Sequence, residues 1–111
     1  MQQLTSSQRS HLKRLAHDLR PLIQIGKNGL TDQLKITLEN ELNAHELVKI
    51  KFMAFQEERA EITSELVEAT GCAQVAMIGN TAILFREHPD PTKRKVKTSP
   101  EVEAEKKKKK E

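Results

Sequence analysis

The chain has 111 residues, with 19 Lys or Arg, 16 Asp or Glu, one cysteine and a net charge of +3. This length predicts one domain with a modest core and at most a tail. The single cysteine excludes an intrachain disulfide, and the sequence contains neither an apolar run long enough to span a membrane nor the apolar stretch of a signal peptide. We therefore expect a cytoplasmic protein with no membrane partner.

The charged residues are unevenly distributed along the chain. Residues 87–111 hold nine Lys or Arg and six Asp or Glu, which accounts for the whole net charge, because residues 1–86 hold ten of each. Residues 1–30 set five cations against Asp18 alone, whereas residues 52–71 set five glutamates against Arg59 alone. The pattern predicts a neutral but polarised domain, in which one region attracts polyanions and another repels them.

The first predicted element is a helix over residues 7–19. Thr5 and Gln8 have the spacing of a capping box, Leu4 suits a hydrophobic staple, and Pro21 ends the helix. Helical periodicity predicts a buried stripe made of Leu12, Leu15, Ala16 and Leu19. A neighbouring stripe carries Arg9, Lys13, His17 and Arg20. Such a stripe is either a cationic binding face or an ordinary solvated face, and the helix alone does not decide between them.

A short strand over residues 22–25 leads into a loop that consists of Gly26, Lys27, Asn28 and Gly29. Glycine takes positive φ without a steric penalty, and a loop of this kind at the start of a helix turns N–H groups outward beside the positive end of the helix dipole. With the Lys27 ammonium above it, the loop suits a phosphate-sugar backbone. By itself the spacing is more typical of a tight connection, and it matches neither of the better-known phosphate loops.

Five further elements complete the predicted domain. A helix over 32–44, capped by Thr31, faces the core with leucines, and a strand over 46–52 alternates three buried apolar residues with Lys49 and Lys51, which are candidate secondary cationic contacts. A helix over 57–70, with Ile62, Leu66 and Ala69 inward, stops at Gly71. Strands over 74–78 and 81–85 are joined by a Gly79-Asn80 hairpin turn.

The predicted order is α-β-α-β-α-β-β. It gives an α+β fold of two layers, with one mixed four-stranded sheet that is partly parallel through the helical crossovers and antiparallel at the final hairpin. The domain is expected over residues 1–86. Residues 87–111, which contain His-Pro-Asp-Pro at 88–91 and a lysine run at 106–110, are expected to be a disordered charged tail.

Enzymatic chemistry has little support in the sequence. The four histidines have no metal-ligand spacing, and neither Cys72 nor any serine or acidic residue has a nucleophile signature. We therefore expect no catalytic residue, no metal, no cofactor and no small-molecule substrate. Nucleic-acid binding explains more of the pattern, but with three Phe and no Trp or Tyr a strand-borne stacking platform is disfavoured. A glycine loop that clamps the backbone needs no aromatic side chain.

Three segments together resemble the CRM (chloroplast RNA splicing and ribosome maturation) domain in its stand-alone bacterial form: residues 26–31 (Gly-Lys-Asn-Gly-Leu-Thr), 44–51 (Ala-His-Glu-Leu-Val-Lys-Ile-Lys) and 74–81 (Gln-Val-Ala-Met-Ile-Gly-Asn-Thr). The resemblance covers about residues 4–86. It implies an RNA-binding module whose fold is similar to the C-terminal domain of bacterial translation initiation factor three, with a KH-like role for the loop. It also implies ribosomal RNA of large-subunit precursors as the partner and ribosome assembly as the process.

The expected RNA contacts come from two sources. The resemblance implies backbone contact by Gly26, Lys27, Asn28 and Gly29, and charge placement adds Arg9, Lys13, Arg14 and Arg20. We expect a monomer. Other functions remain open at this point: an RNA-binding module for tRNA, an intron or another structured RNA, a protein-interaction domain that uses the sheet or the surface around Ile36, and a nucleotide-binding enzyme.

Overall fold

The structure is a computed structural model and describes residues 4–96. Over this range the helices are α1 (Ser6–Ala16), α2 (Asp32–His45) and α3 (Arg59–Thr70), and the strands are β1 (Ile23–Ile25), β2 (Leu47–Phe52), β3 (Ala73–Ile78) and β4 (Thr81–Phe85). A short 3₁₀ helix, Pro91–Lys93, follows. The predicted element order is confirmed. No helix among these residues is both long and apolar enough to cross a membrane.

The first helix begins as predicted but ends one turn early. The backbone N–H of Gln8 donates to Thr5 Oγ1 at 3.1 Å, and that of Thr5 donates to Gln8 Oε1 at 2.9 Å, which completes a capping box. The helix ends at Ala16 rather than at Leu19, since the next N–H groups, those of His17 and Leu19, donate to carbonyls three residues earlier instead of four. The predicted buried stripe is wrong at Leu15 and Leu19, which are both 41% exposed.

The other helix ends follow local sequence signals. Thr31 Oγ1 accepts the backbone N–H of Leu34 at 3.1 Å to cap α2, and Gly71 ends α3 with φ +71°. The inward face of α3 differs from the prediction, since Ala69 is exposed whereas Thr63 and Thr70 are buried. Thr70 tolerates burial because its hydroxyl donates to the carbonyl of Leu66 at 2.8 Å.

The four strands form one sheet in the order β1-β2-β4-β3. β1 runs parallel to β2, whereas β4 is antiparallel to both β2 and β3. The β3–β4 turn contains Gly79 at φ +57°, as its hairpin signal predicts. The α+β class and the mixed four-stranded sheet are thus confirmed.

Helices cover both faces of this sheet, which corrects the predicted two-layer arrangement. One core joins α2 and α3 to alternate residues of the strands, among them Ile50, Phe52 and Leu84. The second core joins α1 to residues of the opposite face: Leu47, Val75, Ile83 and Phe85. Because successive residues of a strand point to opposite faces, a strand buried throughout, such as Ala82 to Phe85, requires cover on both sides.

Residues 87–96 pack back onto the domain, so the disordered tail predicted to begin at residue 87 is wrong for this segment. The buried carboxylate of Glu46 accepts the backbone N–H of His88 at 2.6 Å, of Lys95 at 2.5 Å and of Val96 at 2.9 Å. Val96 also packs against the core under α1. Residues 97–111, with the lysine run, lie outside the described residues, and the prediction for them stays a prediction.

A second tie fixes the end of β4. Arg86 donates to Asn43 Oδ1 at 2.8 Å and to the carbonyl of Thr70 at 2.7 Å, and its Nη2 lies 2.5 Å from Glu39 Oε2. The hydrogen bond from Arg86 holds the pKa of the Glu39 carboxyl below its usual value. One guanidinium therefore links α2, the end of α3 and the sheet.

Glu46→Ala should detach residues 87–96 from the domain, because three backbone N–H groups lose their charged acceptor. We expect the free energy of unfolding to fall by about 2–3 kcal/mol, the order of one hydrogen bond to a charged group, because the three N–H groups are hydrated once the segment detaches. Urea denaturation measures the change, and amide exchange at Lys95 and Val96 should accelerate. Glu41→Ala is the control, since Glu41 only pairs with the partly exposed His45 at 3.6 Å. Equal effects of the two substitutions would contradict this account.

Candidate nucleic-acid interface

The glycine loop forms a tight turn between β1 and α2. The N–H of Gly29 donates to the carbonyl of Gly26 at 3.0 Å, and Lys27 and Asn28 are exposed between them. The two glycines have different roles. Gly29 has φ +65°, where a side chain is strained, whereas Gly26 lies outside that region and a Cβ there would meet nothing within 4 Å.

The loop is held from one side by the segment that follows β2. The carbonyl of Ile25 accepts the N–H of Met53 at 2.9 Å and that of Ala54 at 3.1 Å. The next residue, Phe55, brings its ring against Gly29, where a Cβ would lie 3.2 Å from Cε2 of the ring. The conformation of the loop is thus coupled to a segment remote from it in sequence.

A row of side chains crosses the sheet next to the loop. In register from edge to edge it consists of Gln24, Lys51, Thr81 and Ile78. Lys51 alternates with Ile50 and Phe52, which are buried under α2 and α3, so the row lies on the face that α1 occupies. Gln24, Lys51 and Ile78 are exposed there. This part of the sheet is therefore uncovered.

A cationic groove runs between α1 and the uncovered part of the sheet. Four residues of α1 and its C-cap line it on one side: Ser10, Lys13, Arg14 and His17. The sheet lines it on the other side with Lys49, Ile78, Thr81 and Ile83. The Lys49 ammonium donates to the carbonyl of Leu19 at 3.0 Å, which fixes the chain after α1. The groove and the row of Lys51 share one sheet face beside the loop.

The predicted contact residues lie in four different places. Lys13 and Arg14 line the cationic groove, and Gly26 to Gly29 form the loop at the end of β1. Arg20 instead lines an apolar groove on the other flank of α1, with Leu15, Leu19 and Leu22. Arg9 is exposed on α1 and lines neither groove. The stripe from Arg9 to Arg20 is broken because α1 ends at Ala16.

Three residues of this surface were missed in the sequence. Thr81 and Ile78 carry no charge, and only their places beside the Gly79-Asn80 turn, opposite Lys51, bring them to the row. Phe55 lies outside any regular element, so periodicity gave no signal for it. Lys49 and Lys51, by contrast, were indicated by strand alternation alone.

The opposite side of the loop is acidic. A second groove beside it is lined by Asn28, Gly29, Leu30 and Phe55. Its charged lining is net negative, with one cation, Lys35, against the four carboxylates of Asp32, Glu58, Glu61 and Glu65. The separation of positive and negative charge expected from residues 1–30 and 52–71 is thus found on the two sides of the loop. The loop lies between a cationic sheet face and the glutamates of α3.

Groups suited to catalysis are not assembled in the described part of the chain. Among residues 4–96 no group of three or more His, Cys, Asp or Glu could hold a metal ion. Cys72 is fully buried, and burial raises the pKa of its thiol, which disfavours the reactive thiolate. The arrangement that the structure does provide is one of exposed cations around an open surface.

The sequence matches the CRS1 / YhbY (CRM) domain over residues 4–86. It is 41% identical over 87 residues to a Haemophilus influenzae protein named "RNA-binding protein", covering 78% of this chain and 88% of that one. It is 35% identical over 91 residues to "Probable RNA-binding protein PA4753" of Pseudomonas aeruginosa, covering 81% and 88%. The solution structure of SAV1595 from Staphylococcus aureus, presented as a candidate RNA-binding protein, superimposes with a TM-score of 0.70 at 29% identity, over 86% of this chain and all of that one. None of these names indicates a catalytic family.

The two glycines of the loop should respond differently to alanine. Gly29→Ala places a Cβ at φ +65° and 3.2 Å from the Phe55 ring, so we expect the free energy of unfolding to fall by about 1–2 kcal/mol. A Cβ at residue 26 would meet open space, so Gly26→Ala should change the free energy of unfolding by no more than about 1 kcal/mol in either direction. Urea denaturation of the two variants, measured together, provides the comparison. A larger loss for Gly26→Ala would show that the turn is formed differently.

Proposed function

The chain belongs to the CRS1 / YhbY (CRM) domain family, and from this premise we propose that it is a non-catalytic RNA-binding protein. Its target is ribosomal RNA in precursors of the large subunit, and its role is to hold a conformation of that RNA while the subunit is assembled. The relatives from Haemophilus influenzae and Pseudomonas aeruginosa, whose names state RNA binding, support the first part of this proposal. The ribosomal target follows from the family resemblance.

One observation carries the proposal: the glycine loop borders an uncovered, cationic part of the sheet. Lys51 lies in the row adjacent to the loop, and Lys13, Arg14 and Lys49 line the groove beyond it. Cations spread over one open surface attract successive phosphates of a chain, whereas a pocket for one small molecule would enclose it. This arrangement therefore favours a polynucleotide over a nucleotide.

The parts of the surface contribute differently to binding. The loop offers backbone N–H groups and Lys27 to one stretch of phosphates, and the groove beside α1 continues the positive surface across the sheet. These contacts are made to the backbone, so they position an RNA without reading its sequence. Selectivity then comes from the shape of the RNA and from unpaired nucleotides that follow the open face. Lys13 and Arg14 contribute more than Arg9 and Arg20, which lie outside this groove.

Lys27→Glu should weaken RNA binding without altering stability, because Lys27 is exposed and its charge is reversed where phosphates are held. With a short unpaired RNA oligonucleotide we expect an affinity loss of about tenfold, the size of one charge-assisted contact. The dependence of log affinity on log salt should also become shallower by about 0.7, the contribution of one phosphate on a single strand. Fluorescence anisotropy over a salt series measures both quantities.

Lys93→Glu is the matched control for this experiment. It makes the same change in net charge, but Lys93 lies in the 3₁₀ helix beside Asn43 and Ala44, near the C-terminal end of α2 and thus away from the loop. Its affinity should stay within about twofold of the unmodified protein, since it keeps all cations of the interface. Equal losses in the two variants would mean that only overall charge matters, and an unchanged Lys27→Glu would remove the loop from the interface.

The ribosomal part of the proposal has its own test. On a sucrose gradient of cell lysate, the unmodified protein should migrate with large-subunit precursors at low salt and leave them as salt rises, whereas Lys27→Glu should stay near the top. Sequencing of the co-purified RNA identifies the target. Migration with tRNA alone would overturn the ribosomal target while leaving RNA binding intact, and salt-insensitive migration with other proteins would favour a protein-interaction domain.

A further inference from the structure

Phe55 is placed unlike the other two phenylalanines. Phe52 and Phe85 are fully buried, whereas Phe55 is 41% exposed and has φ +54°. A bulky residue at positive φ is strained, and such strain persists only where the surrounding structure enforces it. An exposed aromatic ring gains little from its position in the free protein. Core packing therefore does not explain why this residue is held here.

The backbone on both sides of Phe55 is fixed. Met53 and Ala54 donate their N–H groups to the carbonyl of Ile25, and the carbonyl of Phe55 accepts the N–H of Glu58 at 3.1 Å. The ring consequently rests with one edge, Cδ2 to Cζ, against Gly29. Gly29 is the residue of the loop whose lack of a Cβ makes this approach feasible. The aromatic ring is thus prepositioned at the loop.

The surroundings of the ring disfavour phosphate and suit a flat apolar group. Leu30 and Ile62 line the same groove as Phe55, and its charged lining is four carboxylates and one cation: Asp32, Glu58, Glu61, Glu65 and Lys35. The net negative charge of this lining would repel a phosphodiester, while a nucleobase, which is uncharged and planar, would not be repelled. The cations of the groove beside α1 lie on the other sheet face, so the phosphates of a bound strand remain there while a base turns toward Phe55.

We propose that Phe55 is the stacking platform for one unpaired nucleobase of the RNA strand held by the glycine loop. This inference rests on the proposed function and adds a base contact to an interface otherwise made of backbone contacts. A single exposed ring is sufficient for one base, because every base has a π-face and stacking needs no partner strand of aromatics. The contact makes the protein prefer unpaired segments, since a paired base is not free to turn into the groove.

The first experiment compares Phe55→Leu with Phe55→Tyr. Leucine retains apolar bulk against Gly29 but has no ring, so affinity for a short unpaired RNA oligonucleotide should fall about tenfold, the loss typical of one base–aromatic contact. Tyrosine retains the ring and should bind as the unmodified protein does. Ile36→Ala, which removes an apolar side chain that is 54% exposed on α2, is the control and should have no effect. Unchanged affinity in Phe55→Leu would overturn the proposal.

A second experiment isolates the base contact. A set of oligonucleotides, each with one abasic position, should contain a member that binds the unmodified protein about tenfold more weakly than the intact strand. With Phe55→Leu the same abasic position should leave the binding affinity almost unchanged, because the contact is already absent. Additive losses would overturn stacking, since two groups that interact directly give non-additive effects. This cycle separates stacking from a general disturbance of the loop.

Phe55→Trp provides a direct signal, because the chain contains no Trp or Tyr. Its emission should be quenched by the unpaired oligonucleotide, whereas Ile36→Trp should not respond. The Lys27→Glu variant distinguishes the two proposals. If Lys27→Glu abolishes binding but Phe55→Leu does not weaken it, stacking fails and the proposed function stands. If the unmodified protein binds no RNA, both fail.

Discussion

The whole structure depends on one face of β2, which is apolar at Leu47 and cationic at Lys49 and Lys51. This strand pairs with β1 on one side and β4 on the other, and its residues Val48, Ile50 and Phe52 complete the core under α2 and α3. On the opposite face Leu47 is buried under α1, but Lys49 and Lys51 are not. Burying the two ammonium groups would cost free energy of desolvation, which agrees with α1 covering only the apolar part. The strand that joins both cores therefore also creates the open cationic surface.

The two ends of β2 have separate tasks. At its start, Glu46 adopts φ +66° and directs a buried carboxylate to three N–H groups of residues 88–96, which closes that end of the domain. At its other end the chain leaves the sheet, attaches to the carbonyl of Ile25 and places Phe55 against Gly29. Both ends contain a strained non-glycine residue. The first is stabilised by hydrogen bonds within the protein, whereas the second presents an exposed ring.

How far the sequence predicts this molecule depends on the range of the interactions involved. Caps at Thr5 and Thr31, the stop at Gly71 and the alternation of β2 are local, and the sequence predicts them correctly. The exposure of Leu15 and the separation of Arg20 from Lys13 depend on where α1 ends and on which residues cover its flanks. Likewise, Gly26 and Gly29 are equivalent in the motif, and they differ only in the structure, where Gly29 has positive φ and faces the ring of Phe55. Residues 87–96 look like a tail because their acceptor, Glu46, is distant in sequence.

In the binding mode that we propose, the acidic groove beside the loop contributes to selectivity together with the cations. A duplex presents phosphates on every side and keeps its bases paired, so a duplex on the cationic face would also bring phosphate toward Glu58, Glu61 and Glu65. An unpaired strand can place its phosphates on the sheet face and turn a base toward Phe55. Repulsion then disfavours the wrong ligand while attraction holds the right one, which is how specificity arises without reading a sequence. Removing these glutamates would increase affinity for duplexes more than for unpaired strands, although none of them has to touch the bound RNA.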